Sequence, residues 1–508
     1  MININDHLIK NAYKAIIDIV SNTPNNKTLV IDKNLKKLVT IAMRYEVSKL
    51  VDYGVTQFVY LDTEPFEPTE NTIIYLVQTN YELVNILSKH MKNFPNHSHN
   101  IYFVPYRSLA LENILEYNGI ESKKCMFYDF IAMSLLPVDL NILSMEMPQH
   151  YFNKYIIDND LTVPHCIAKT IQNFGSIPNI CGIGPTAKYI AEILCKSRVD
   201  DKISQFDKLI IIDRQNDLIT SLFSQESYRG VISELQDNEF DKIIFPTDSI
   251  YAELHNKPFI EVAQMLHEKV KFQTQTEQKV KSLQENKVNV NELKKIVEEL
   301  KKVPKKSLVL HLDITKKCMN GYKEFSEYIQ IENNIINKSN QQITNEFISN
   351  MIINRKSITT ILRLICLQSL LGINFDLEYY KKIIILNYGF EYGFIFSDLE
   401  RFGFFKTNLL NKLFDEHIQL TTMINRFILN KKIKTNMSTH DPFYFNKKLY
   451  TKTNKTLIFI VGGITFDEID DLVNITNANI KNENNREFCI ATTSIINGNK
   501  LIGSSINI

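Results

Sequence analysis

A chain of 508 residues exceeds what one hydrophobic core can serve, so two to four domains are expected. Its 58 Lys and Arg against 57 Asp and Glu leave no global field to draw it to nucleic acid or to an anionic membrane, so any partner is recognised locally. Seven cysteines without a CxxC pair read as buried free thiols of a reducing compartment, which excludes a disulfide scaffold and a zinc site.

The amino terminus carries Asp6 and Lys10 where a signal peptide needs an apolar core, so it reads as an amphipathic helix, His7 to Val20. The longest apolar stretches, Ile361 to Ile373 and Leu457 to Ile464, are too short for a bilayer. These features predict a soluble, cytosolic protein.

Thr28 to Ile31, Gln57 to Leu61, Thr72 to Val77 and Asn100 to Val104 read as strands, with helices at Leu35 to Tyr45 and Tyr81 to His90. Strands alternating with helices predict a parallel sheet covered on both faces, placing residues 1–124 in one α/β domain. A second α/β unit is expected from Cys125. It includes Gly175 to Leu194, where Gly182, Gly184 and Pro185 precede an Ala-rich helix. That arrangement is either a phosphate-cradling turn at a helix start or, more simply, a loop with Pro as an early helical residue. Ile177 to Ile180 contain Pro178 and do not make a convincing strand. Leu209, Ile210, Ile211 and Ile212, ending in Asp213 and Arg214, predict a strand buried on both faces in the middle of a sheet.

From about Phe240 helices take over. Residues 265–306 hold eleven Lys and six Glu, with Val290, Leu293, Ile296, Val297 and Leu300 at helical spacing. This predicts a long basic amphipathic helix whose stripe either docks a partner helix or packs on a second arm around Tyr322, Phe325 and Tyr328. Further helices are expected at Ile343 to Asn350, Ser357 to Gly372 and Leu377 to Asn387. The core face of the middle one is Leu362, Leu364, Ile365, Leu367 and Leu370, with Arg363 and Gln368 pointing elsewhere. Residues 435–450 read as polar and turn-rich. Leu457 to Val461, Phe466 to Val473 and Phe488 to Thr492 form a strand-helix-strand unit too small to hold its own core, so it is expected to complete the sheet of residues 125–235.

No His pair has metal-binding spacing, and no GxSxG elbow or kinase-like set occurs. His150 and His165 near Cys166 lack an orienting third group. Asp213, Asp217 and Glu226 could hold a divalent cation but are more simply salt-bridged by Arg214 and Arg229. No catalytic residue, cofactor or metal is expected.

Leu209 to Glu234 resembles the LLLDR…DL…T…YEGLIDE segment of the SM family (the Sec/Munc group of SNARE chaperones), most closely its class C vacuolar protein-sorting branch. Phe103, Val104, Pro105, Arg107 and Ser108 match that branch's F-V-P-x-R-S. Leu136, Pro137, Asp139, Leu143, Ser144, Met145 and Glu146 match L-I-P-x-D-x-D-L-L-S-M-E, and Gly175, Ile177, Pro178, Asn179, Ile180, Gly182 and Gly184 match G-x-I-P-N-I-x-G-x-G. Tyr251, Ala252 and Glu253 match Y-A-E, Leu362 to Ser369 reads as L-R-L-x-C-L-Q-S, and Gly462, Gly463, Thr465 and Glu468 match G-G-x-T-x-x-E, all in the family's order. Two departures stand out: Ser221 replaces the usual Pro after Thr220, and no Y-S-G-Y-A-P-L segment precedes residue 445.

The resemblance implies an arch of three domains: α/β domain 1 (1–124), a discontinuous α/β domain 2 (125–235 and 445–508) and a mostly helical domain 3 (236–444) with a protruding hairpin about 265–330. It implies a non-enzymatic protein that templates SNARE assembly as a subunit of the HOPS or CORVET tethers, recruited peripherally to endosomal, vacuolar or lysosomal membranes. The partners so implied are SNAREs of syntaxin and R-SNARE type and another class C tether subunit, with no nucleic acid and no membrane insertion. Leu293, Ile296, Val297 and Leu300 are then the expected SNARE-binding residues. The alternatives are an SM protein of another branch binding one syntaxin-type SNARE, and an α/β enzyme holding a phosphate ligand at Gly182 and Gly184.

Overall fold

The computed structural model describes residues 4–506 except 45, 63–65, 80, 108, 121–124, 149–160, 197–203, 237–247, 286–303, 406–418, 430, 432–440, 447–452 and 483–485. The chain divides into two compact units. One comprises Met1–Asp217, Glu416–Gly463 and Ile475–Ile495 and carries both sheets; the other comprises Leu218–Asp415, Ile464–Asn474 and Ile496–Ile508 and is helical.

The first sheet holds β1 (Lys27–Asp32), β2 (Val55–Leu61), β3 (Thr72–Gln78), β4 (Ser98–Val104) and β5 (Cys125–Asp129) in the order β2-β1-β3-β4-β5, every pair parallel. Its inner strands are near-continuous apolar runs, as a sheet buried on both faces requires. Cys125–Asp129 is the last strand of this sheet, so the sheet runs past the expected boundary at 124. As a short edge strand with Met126 and Tyr128 exposed, it carries little apolar pattern to announce it.

The second sheet orders β6 (Leu136–Asp139), β7 (Ile142–Ser144), β8 (Asn179–Ile183), β9 (Lys208–Asp213), β10 (Pro442–Asn446), β11 (Lys455–Val461) and β12 (Glu487–Thr492) as β10-β8-β9-β11-β12-β7-β6. β9 lies between β8 and β11, with Leu209 opposite Leu457 and Ile212 opposite Ile460, and Leu209 to Ile212 are wholly shielded from solvent. The carboxy-terminal strands thus close the hydrogen-bonding edge that β9 would otherwise leave open. Four strands of this sheet, β6, β7, β8 and β10, went unread in the sequence. β8 begins after Pro178, where the proline needs no ladder donor, and β10 starts on Pro442 at the antiparallel edge, where a proline is tolerated.

The helical unit is built around helix Ile358–Leu370, which is buried nearly all round. Arg363 and Gln368, expected to point away from the core, are 2% and 0% exposed. Burial of Arg363 is tolerable because its donors are met: Nε donates to the Leu222 carbonyl at 2.5 Å, and the guanidinium donates to Glu234 at 2.9 and 3.2 Å and to Ser224 Oγ at 3.2 Å. Glu332 lies 3.6 Å from the guanidinium and accepts from the Ser224 N–H and Oγ at 2.8 and 2.9 Å. A Cβ on Gly498 would come within 2.4 Å of Arg363 Nε, so glycine lets helix Gly498–Ser505 lie against the cluster. Replacing Arg363 by Leu leaves two buried carboxylates facing each other. We predict a loss of about 3–5 kcal/mol in urea unfolding; a variant as stable as the parent would show that the cluster is not a constraint on folding.

Candidate functional site

Leu293, Ile296, Val297 and Leu300 lie outside the described residues. The helices on either side of them, Phe259–Glu285 and Lys305–Ile336, are described and pack together in the helical unit. Phe259 meets Tyr322 with ring centroids 4.8 Å apart, and Leu308, His311, Ile314, Cys318 and Phe325 form the buried face of the longer helix. Tyr322 is therefore in the contact between these two helices, while the expected packing of residues 290–300 on Tyr322, Phe325 and Tyr328 lies outside the described residues. Tyr328 meets Phe347 of helix Gln341–Ile353, with ring centroids 6.1 Å apart.

On another face of helix Lys305–Ile336 the structure shows an apolar stripe that the sequence reading missed. Val309, Leu312 and Met319 are 58%, 36% and 51% exposed, and their spacing of three and seven keeps them on one side of the helix. Lys305, Lys306, Lys316, Lys317 and Lys323 alternate with them along the same helix, and Asp313 is paired with Lys317 at 2.7 Å. An apolar stripe bordered by lysines matches an amphipathic helix with acidic flanks. The signal was present as a second 3–4 spacing beside the buried one, but a sequence cannot say which of two apolar stripes faces inward.

The base of this helix is fixed by Asp248. Its carboxylate caps helix Ser249–Leu254 through the N–H groups of Ile250 and Tyr251, at 3.0 and 2.9 Å, and accepts from Ser307 Oγ at 2.7 Å. His311 Nε2 lies 3.2 Å from the same carboxylate and its Nδ1 lies 2.9 Å from the Tyr228 hydroxyl. Burial alone would raise the Asp248 pKa, yet the hydrogen bonds from His311, Tyr251 and Ser307 outweigh it and hold the group down at about 2. The exposed stripe thus stands on a helix whose first turns are pinned to the unit.

The glycine turn before helix Pro185–Lys196 is closed. Gly184 has φ +109°, and a Cβ there would sit 2.4 Å from the Asp213 carboxylate. Asp213 accepts the N–H groups of Thr186 and Ala187 at 2.8 and 2.9 Å, so the chain's own carboxyl group occupies the helix start where a phosphate would bind. Gly182 has a different reason: a Cβ on it would overlap the Ile211 carbonyl of the neighbouring strand at 1.8 Å. Asp213 is consequently not the salt-bridge partner of Arg214. Arg214 lies 3.5 Å from Asp217, which also accepts the Leu420 N–H at 2.7 Å, while the Glu226 N–H donates to Asp467. Among the described residues no group of three or more His, Cys, Asp or Glu could hold a metal ion. His165 bonds the Leu161 carbonyl through Nδ1 at 2.7 Å, Cys166 is buried, and His150 lies outside the described residues.

Two measurements follow from this plug. Calorimetry with ATP, GTP and nucleotide sugars should give no saturable heat; binding abolished by Gly184→Glu would restore the enzyme reading. Burial pushes the Asp213 carboxyl up to about 7. A carboxyl raised in the folded state takes up its proton before the unfolded chain does, so it favours folding more at pH 4 than at pH 7, by up to about 1.4 kcal/mol per pH unit. Asp213→Asn, which cannot ionise, should flatten that part of the stability profile, and an unchanged slope would refute the assignment.

A model of the Sec1 family matches residues 27–504. The chain is 25% identical over 434 residues to "Vacuolar protein-sorting-associated protein 33 homolog" of Arabidopsis thaliana, covering 77% of this chain and 71% of that one. It is 25% identical over 516 residues to "Vacuolar protein sorting-associated protein 33A" of Rattus norvegicus, covering 84% and 85%. Among solved structures, "SM Protein Vps45 in Complex with Qa SNARE Tlg2" matches with TM-score 0.56 and 14% identity over 98% of this chain and 97% of that one, a likeness of fold.

Proposed function

Because the chain belongs to the Sec1 family, we propose that it is a non-enzymatic SM protein of the vacuolar sorting branch that binds SNAREs and templates their assembly for fusion at endosomal, vacuolar or lysosomal membranes. The relatives named for vacuolar protein sorting support the branch, and a structural neighbour solved with a Qa SNARE supports the class of partner. No helix of the described residues is long and apolar enough to cross a membrane, which suits peripheral recruitment from the cytosol.

The observation that carries the reading is the pinned helix Lys305–Ile336 with its exposed Val309, Leu312 and Met319 among lysines. A SNARE segment of syntaxin or R-SNARE type laid on this stripe loses its ordering entropy before zippering, which is what a template contributes. We include Leu293, Ile296, Val297 and Leu300 in the proposed SNARE-binding set. Leu386, Phe390 and Phe394, 80%, 76% and 70% exposed, form a second apolar patch within the helical unit. We assign that patch to a class C tether subunit of HOPS or CORVET. Functionally we read three domains, with the boundaries expected from the sequence and the first extended through Asp129.

Binding should be measured by calorimetry or pull-down with Qa-SNARE and R-SNARE motif peptides. The double variant Val309→Asp, Leu312→Asp should weaken capture at least about tenfold with the melting temperature nearly unchanged, since both side chains are exposed. Undiminished capture by a folded variant would remove this stripe from the site, and a large fall in melting temperature would mean it is core.

A further inference from the structure

Helix Lys305–Ile336 is tied into the helical unit at two places, and both ties run to one short segment, residues 224–235. Towards the end of the helix Glu332 accepts from the Ser224 N–H and Oγ, inside the Arg363 cluster. Near its start His311 Nδ1 lies 2.9 Å from the Tyr228 hydroxyl. About 30 Å of helix separates the two ties. Val309 and Leu312 stand on either side of His311 in the chain, so the direction of the exposed stripe depends on the first tie far more than on the second.

The chemistry of that tie is specific. Asp248 is held ionised and can only accept, so His311 Nε2 carries a proton towards it, and in the neutral ring Nδ1 is left to accept the Tyr228 O–H. The Tyr228 ring stacks on Phe259 of helix Phe259–Glu285, with centroids 6.3 Å apart and planes at 12°. The His311 ring stacks on Tyr251 at 6.2 Å and 10°. One hydrogen bond therefore joins the starts of both long helices, the helix that Asp248 caps and residues 224–235. Tyr228 and His311 are both 0% exposed, so neither can touch a partner.

We propose that Tyr228 and His311 are positioning residues for the partner-binding stripe. Their hydrogen bond sets the direction in which the first turns of helix Lys305–Ile336 leave the unit, and so presents Val309 and Leu312 already ordered. Ordering before contact removes a cost from association, so the bond acts on capture more than on the stability of the unit. The Arg363 cluster, by contrast, acts on stability. This inference rests on the SNARE-binding reading above.

Two mild variants of the full chain test it. Tyr228→Phe removes one hydroxyl and keeps the ring on Phe259, and His311→Gln offers an amide N–H to Asp248 but no Nδ1 acceptor. Each should weaken capture of Qa-SNARE and R-SNARE motif peptides in surface plasmon resonance by about fivefold. The double variant should lose no more than either single one, because all three lack the same bond. Amide exchange should rise at least about tenfold over residues 307–316 and stay unchanged in helix Ile358–Leu370, with the melting temperature lowered by no more than about 4 °C. Additive losses, a uniform rise in exchange across the unit, unchanged exchange over residues 307–316, or undiminished capture by both variants overturns the positioning role alone. If the unaltered chain captures neither peptide, the SNARE-binding reading fails and the positioning role with it.

Discussion

One buried cation organises the helical unit. Arg363 is shielded from water and draws to itself Leu222 and Ser224, Glu234, Glu332 and, through its close approach, Gly498. Those residues come from four separate segments of the chain, yet none of their polar groups can be left unpaired without a large desolvation cost. Burial and the neighbouring Glu234 push the Glu332 carboxyl up, and Arg363 opposes that shift. A charge set of this kind adds little net stability compared with apolar packing, but it admits few arrangements. The segments must come together in one way, and the long helix that bears the exposed stripe is one of them, through Glu332.

A similar economy governs the sheet unit. β9 depends on β11 for its second hydrogen-bonding edge, and β11 arrives from more than two hundred residues away. Lys208 and Arg486 reinforce that join from the amino end by reaching Phe427 and Asp207. The sheet is therefore complete only once the carboxy-terminal strands have docked, and residues 218–415 are an insertion the sheet must accommodate before it can close.

Much of this was legible in the sequence because it rests on long apolar runs. Leu209 to Ile212 and Leu457 to Val461 announce buried parallel strands, and the order of the matched segments along the chain pointed to the family. The misses have physical causes. Arg363 and Gln368 break an apolar pattern, and charge in a helix is normally read as outward; only the positions of Glu234 and Asn345 in space show that both find partners inside. β5 and β10 are edge strands, where half the side chains face water and the alternation blurs. Val309, Leu312 and Met319 hide beside a second, buried stripe on the same helix, so periodicity alone could not separate contact surface from core. Asp213 beside Arg214 suggests a salt bridge, whereas its partners are two backbone amides nearly thirty residues earlier.

The carboxylate of Asp213 bears on how such a protein can be controlled. Proteins that cradle a nucleotide at a strand-to-helix turn can use its hydrolysis as an internal timer, which sets how long each state lasts. Here that turn is sealed by a side chain encoded in the chain itself, and the seal cannot be spent or exchanged. A turn held in this way offers no such timer, and a complex made without one lasts as long as its partner's rate of leaving allows.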